Sequence, residues 1–159
     1  MEFDKERTAF FSGHREISNS QIAYVKEELR KEILLAIQDG YTHFISGFAG
    51  GSDLYAASIV AELREENSDI TLEAAIPHRK RFETKEEDFQ SLIKLCDKIH
   101  VCSEFFHKKC YFERNMYMAN KSKRLIAVYD GRNGGGTSFT ILYAQTIERE
   151  SHIIMIEKQ

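Results

Sequence analysis

The sequence predicts a three-layer α/β fold in which a mostly parallel sheet of about six strands carries helices on both faces. Three observations lead there. Short apolar runs alternate with amphipathic segments along the whole chain, the pattern of right-handed βαβ crossovers rather than of hairpins. Two of the runs end in glycine turns that open directly onto a helical pattern, once over residues 47–53 and once over residues 134–137. A length of 159 residues, with 42% hydrophobic and 30% charged side chains, suits one ordinary core, so residues 1–159 are expected to form a single domain.

Taken in order, Thr8, Ala9, Phe10 and Phe11 form the first strand candidate, which runs into the polar loop Ser12, Gly13, His14, Arg15. Ser18, Asn19 and Ser20 offer caps for a helix with Ile22, Val25, Leu29 and Ile33 on its apolar side and Gly40 as its stop. Residues 42–46 predict strand two. After the glycine turn, a helix to about Glu66 carries Ala56, Ala57 and Ala61, small enough for close packing. Strand three, residues 70–76, is closed by Pro77, the one proline, which cannot donate to a ladder. The basic loop His78, Arg79, Lys80, Arg81 then precedes a helix patterned by Phe89, Leu92, Ile93 and Cys96, and strand four follows at residues 99–102. A helix from about Tyr111 to Lys121, a strand from Arg124 to Tyr129, a helix carrying Phe139, Leu142, Tyr143 and Ile147, and a strand at residues 153–156 complete the pattern.

A formal charge of −3 gives the whole molecule no attraction for nucleic acid or an anionic membrane, and a nucleic-acid partner is not expected. The first seven residues contain no apolar stretch of signal-peptide type, and no run approaches the roughly 20 apolar residues of a membrane span. A cytoplasmic protein is expected. Three cysteines without CxxC spacing read as reduced thiols. Cys102, His107 and Cys110 lack a fourth ligand for zinc, so neither a metal nor an obligatory cofactor is expected.

In parallel sheets ligands bind beyond the carboxyl ends of the strands. The loops predicted there hold Arg15, Arg79, Lys80, Arg81, Lys108, Lys109, Arg114 and Arg132, whereas acidic residues such as Glu27, Glu62 and Glu66 fall on helices. A basic rim on an acidic protein points to a small anionic ligand. Each glycine turn also supplies a helix N-terminus with free amides and roughly half a positive charge. Gly134, Gly135, Gly136 and Thr137 make the better phosphate cradle, having no acidic residue and one hydroxyl donor. In the first turn Gly47, Gly50 and Gly51 precede Asp53, whose carboxylate repels phosphate and accepts hydrogen bonds from ribose hydroxyls or a base. Equally, Asp53 caps the helix while the glycines only permit close packing. Arg114 can clamp phosphate bidentately and Asn115 can hold a hydroxyl or amide edge, though either also suits a surface position. His14, at a strand end, fits hydrogen bonding to a ligand, proton transfer or a structural role. The patterns GxGxxG after strand one and GxxxxGK[ST] are absent.

At these residues the sequence resembles a known group. Ser46 to Asp53 is similar to the SGxAxGxD loop of the DNA-processing protein DprA; Glu113, Arg114, Asn115 and then Gly134 to Thr137 resemble the xRK/RN and GGxGT elements of LOG enzymes. Together these elements mark the SLOG superfamily. Ser12, Gly13, His14 and Arg15 at the first strand are most similar to its YpsA-like members. The resemblance implies a Rossmann-like fold that binds a nucleotide-derived ligand, such as a nucleoside phosphate, ADP-ribose or a related dinucleotide. It also implies a homodimer.

Two other functions follow from the same resemblance. LOG relatives cleave the N-glycosidic bond of nucleoside monophosphates with a glutamate three residues after the threonine of GGxGT, where this chain has Thr140. Glu113 or Asp53 would have to replace that carboxylate, with Arg114, Glu113 and His14 as the catalytic candidates, so a binding or sensing module is expected before a phosphoribohydrolase. DprA implies single-stranded DNA binding, for which Phe105, Phe106, Tyr111 and Phe112 adjoin the basic loop without forming an extended stacking groove.

Overall fold

Six parallel strands form one sheet in the computed structural model, which describes residues 2–159. They are β1 (Thr8–Ser12), β2 (His43–Ser46), β3 (Thr71–Ile76), β4 (Lys98–Val101), β5 (Arg124–Tyr129) and β6 (Glu150–Met155). Five α-helices connect them: α1 (Asn19–Gln38), α2 (Ser52–Glu66), α3 (Glu87–Ile93), α4 (Cys110–Asn120) and α5 (Gly136–Thr146). The spatial order is β4-β3-β2-β1-β5-β6. The chain lays strands outward from β1 to β4, then returns to the other side of β1 for β5 and β6.

That reversal sorts the helices. Phe11, Phe44, Leu72, Ile126 and Val128 pack with Val25, Leu29, Ile33, Val60 and Phe89 from α1, α2 and α3. Phe10, Ile45, Ala75, Leu125 and Ala127 pack with Met118, Ala119, Ile141 and Ala144 from α4 and α5. Neighbouring residues of one strand thus serve opposite cores. Strands buried on both faces read as continuous apolar runs, which is why β1, β2, β3 and β5 are plain in the sequence. The helix stop at Gly40 also holds: its φ is +98°, and Gly40 and Tyr41 donate to the Ile37 and Ala36 carbonyls.

Three elements depart from the expected pattern. Strand β6 begins at Glu150, three residues early, because it pairs along all of β5 from Arg124↔Glu150 onward and its polar start is held by Arg124 (3.0 Å). Helix α3 ends at Ile93, so Cys96 lies in the turn beyond it, where the Asp97 amide joins the Leu72 carbonyl. On α5 the buried side is Thr137, Thr140, Ile141 and Ala144, while Leu142 is 62% exposed. Thr140 can be buried because its hydroxyl donates to the Gly136 carbonyl at 2.8 Å. Phe139 and Tyr143 stack on each other beside Phe112.

Candidate functional site

Because β1 and β5 are neighbours whose following helices lie on opposite faces, the loops leaving their C-terminal ends diverge and open a crevice. A cavity of about 740 Å³ occupies it. Ser12, Gly13, His14 and Arg15 line it from the end of β1; Gly134, Gly135, Gly136 and Thr137 line it from the start of α5. Asp53 reaches it from α2, and Arg114 and Asn115 from α4. Eleven of the fourteen binding candidates therefore meet in one place.

The glycine loop before α5 is open. An added Cβ would meet nothing within 4 Å at Gly134 or Gly136 and only the Arg132 side chain, at 4.0 Å, at Gly135. Gly134 (φ +79°) and Gly135 (φ +90°) take the left-handed conformations that glycine favours. The first backbone bond into α5 is from Phe139 to the Gly135 carbonyl, so the amides of Gly136, Thr137 and Ser138 precede the hydrogen-bonded helix.

The other glycine loop is filled by the protein itself. A Cβ on Gly51 would stand 2.3 Å from the Arg15 carbonyl oxygen and 2.5 Å from that of His14. The first amide of α2, on Ser52, donates to the His14 carbonyl at 3.2 Å. A Cβ on Gly47 would lie 2.7 Å from Arg114 Nη1. These glycines therefore admit a backbone and a guanidinium group. Gly47 and Gly50 face a neighbouring cavity of about 260 Å³, and Gly51 faces neither, which corrects their expected placement.

Arg114 is buried, with Nη1 donating to the carbonyls of Gly47 (2.6 Å) and Ala75 (3.4 Å) and Nε to Asn115 Oδ1 (2.8 Å). It ties α4 to β3 and to the loop after β2. Asp53, equally buried, accepts from the Ala49 amide on Oδ2 (3.3 Å), while its Oδ1 has no partner. Burial pushes the Asp53 carboxyl up to about 6, against the pull of Arg114. Tyr111 receives the guanidinium groups of Arg15 (5.2 Å) and Arg114 (5.9 Å) over its ring.

His14 closes β1 onto β5. Its Nε2 lies 3.1 Å from the Asp130 amide, which donates to it, and 3.3 Å from Asp130 Oδ1, and burial lowers its pKa. Asp130 is held by Arg132, which donates from Nε to Oδ1 (3.0 Å) and Nη2 to Oδ2 (2.6 Å), and by the Gln159 amide (3.1 Å). The Arg132 guanidinium holds the Asp130 carboxyl far below the usual carboxylate range. Asp130 is not legible as a site residue in the sequence, because its role depends on β1 and β5 lying side by side. Met118 and Gln159, which line the cavity itself, carry no local signal either.

The rim is less basic than its composition implies. Arg79 is paired bidentately with Glu104, and Arg81 with Glu86 and the Phe48 carbonyl. Neither lines the large cavity, whereas Arg15, Lys108 and Arg132 do. Glu113 is exposed and paired with His107 at 3.0 Å, outside the cavity. Thr140 does not line the cavity either.

Known proteins agree with this architecture. A UPF0398 protein of Bacillus pumilus is 25% identical over 130 residues, covering 78% of this chain and 70% of the relative. One of Bacillus cereus is 24% identical over 123 residues, covering 74% and 67%. DNA processing protein A of Helicobacter pylori, described in a single-stranded DNA binding mode, shares the fold with a TM-score of 0.64 at 15% identity, over 98% of this chain and 67% of that one. The X-ray structure of TM1055 does so with a TM-score of 0.60 at 14% identity, over 91% and 72%. The YpsA family model, described as the YspA SLOG family, matches residues 11–158. With nearly every element of the sheet and both glycine loops inside that match, the chain belongs to the YpsA family of SLOG proteins.

Proposed function

We propose that the protein binds a phosphate-bearing nucleotide in the crevice between β1 and β5, with the phosphate on the amides that open α5. The observation that carries this reading is the contrast in filling: the loop at Gly134, Gly135 and Gly136 is open beside a 740 Å³ cavity, a size suited to a small ligand. The N-terminus of α5 and the Thr137 hydroxyl favour an anion there. The role is read as binding or sensing because Thr140 stands where the catalytic glutamate would be and Glu113 lies outside the cavity, which leaves Asp53 as the carboxylate that a hydrolase would have to use. A thermal-shift screen with the four ribonucleoside 5′-monophosphates, ADP-ribose and NAD tests it. A ligand at 100 times its Kd stabilises the fold by about 2.7 kcal/mol, or roughly 5–10 °C at this size. Gly135→Asp removes the shift by setting a carboxylate against the phosphate. No shift with any of these compounds overturns the reading, and released base on chromatography would make the protein a hydrolase instead.

A second reading is single-stranded DNA binding. Phe105 (82% exposed) and Phe106 (61% exposed) precede Lys108, which lines the cavity, and the Phe106 ring stands 6.3 Å from that of Tyr111, which lines it too; exposed aromatics beside cations stack bases. A salt-dependent shift of a labelled oligonucleotide supports it; none removes it.

A further inference from the structure

We infer that Arg132 is the guanidinium that grips the bound anion, that it leaves Asp130 to do so, and that a protonated His14 takes its place, so that binding brings one proton into the protein. This rests on the reading that an anion sits on the loop before α5. Arg114, the clamp that sequence position suggests, is buried and donates to the Gly47 and Ala75 carbonyls and to Asn115. Arg132 is placed differently. Its side chain lines the cavity and is 41% exposed, and a Cβ on Gly135 would stand 4.0 Å from its Cδ. Nε and Nη2 hold Asp130, while Nη1 has no bond among the described residues. An open guanidinium thus flanks the open glycine loop.

A guanidinium pairs bidentately with phosphate or sulfate as it does with a carboxylate, and a dianion offers more charge than Asp130 does. The cost of the exchange falls on Asp130, whose side chain has no exposure. The amides of Arg132 (3.0 Å) and Gln159 (3.1 Å) remain on its oxygens, but a buried carboxylate stripped of its cation is strongly destabilising. His14 can restore the charge, because its Nε2 lies 3.3 Å from Asp130 Oδ1. In the free protein burial lowers the His14 pKa, Asp130 raises it and Arg132 lowers it again. Moving Arg132 onto the anion removes the last effect, and the anion's charge adds to that of Asp130. A proton from solvent then sits on Nε2 and donates to Oδ1, while the Asp130 amide gives up its bond to that nitrogen. The other ionisable neighbours are Tyr129, with its ring 6.0 Å away, and Arg15, Asp53, Lys108 and Arg114 around the cavity. Asp53 is itself pushed up to about 6, so the imidazole must be read directly rather than protons counted. The sign follows: an anion that raises the His14 pKa binds most tightly below the free midpoint and weakens by about tenfold per pH unit up to the bound one.

The test follows the His14 ring by nuclear magnetic resonance from about pH 5 to 8, in sulfate and in chloride of equal ionic strength; sulfate is a dianion that does not itself titrate there. Saturating sulfate should raise the His14 midpoint by about one unit or more and shift the Arg132 Nε signal. In Arg132→Met the midpoint should already be high in chloride, and sulfate should move it by less than about 0.3 unit and bind about tenfold or more weakly. An unmoved His14 midpoint or Arg132 Nε signal in the wild type, with sulfate seen to bind at the Gly136 and Thr137 amides, overturns the inference and leaves the anion reading standing. An equal rise in Arg132→Met also overturns it, because the anion's field alone would then act on His14. If sulfate moves no amide of the loop, the anion reading fails and takes the inference with it. The wild-type signals decide by themselves if the variant does not fold.

Discussion

The loop after β2 and the loop after β5 both join a strand to a helix through closely spaced glycines, yet their surroundings are opposite. In the first, a side chain at Gly51 would strike the backbone of His14 and Arg15, and one at Gly47 would strike the Arg114 guanidinium. In the second, side chains at Gly134 and Gly136 would enter open space. Glycine in the one place permits the protein to touch itself; in the other it leaves amides for something else to touch. The same pattern of residues thus serves packing in one loop and reception in the other, and only the neighbours tell them apart.

Substitutions break or sharpen this contrast, beginning with the largest effect. Gly51→Ala combines a close contact with a residue at φ +70° and should cost about 3–5 kcal/mol, read as a fall of more than 6 °C in thermal melts. A cost under about 1 kcal/mol would mean the loop is not packed as described. Arg114→Met keeps the stem but strands the Gly47 carbonyl and the buried Asp53, at about 3 kcal/mol by urea titration. Asp53→Asn acts through pH. A carboxyl whose pKa is raised on folding from 3.8 to about 6 favours the folded state while protonated, so its contribution is lost as pH rises through that window. The wild type should match the variant near pH 4 and fall below it by up to about 3 kcal/mol above pH 6. Stability that declines equally in both proteins contradicts the placement of Asp53. Gly136→Ala, where nothing lies within 4 Å, should change stability by less than about 0.5 kcal/mol.

Much of the architecture is legible in the sequence because parallel strands buried on both faces leave unbroken apolar runs; β5 has the expected bounds of Arg124 and Tyr129. The start of β6 is not, since Glu150 and His152 look like loop until Arg124 and Glu32 are seen to pair with them. The register of α5 is hidden for a related reason: Thr137 and Thr140 are buried although their type suggests a surface. At the site, residues near strand ends converge as their positions imply, whereas the strut made by Arg114 and the latch of His14 on Asp130 arise from contacts between segments far apart in sequence. No spacing rule exposes those.

The most direct measurement is amide nuclear magnetic resonance during titration with inorganic phosphate, the simplest occupant of the proposed anion site. The account predicts saturable shifts at Gly135, Gly136, Thr137 and Ser138 and unmoved amides at Gly51 and Ser52, the latter already bonded to His14. Saturable shifts at Gly51 and Ser52 with a silent loop before α5 would contradict it.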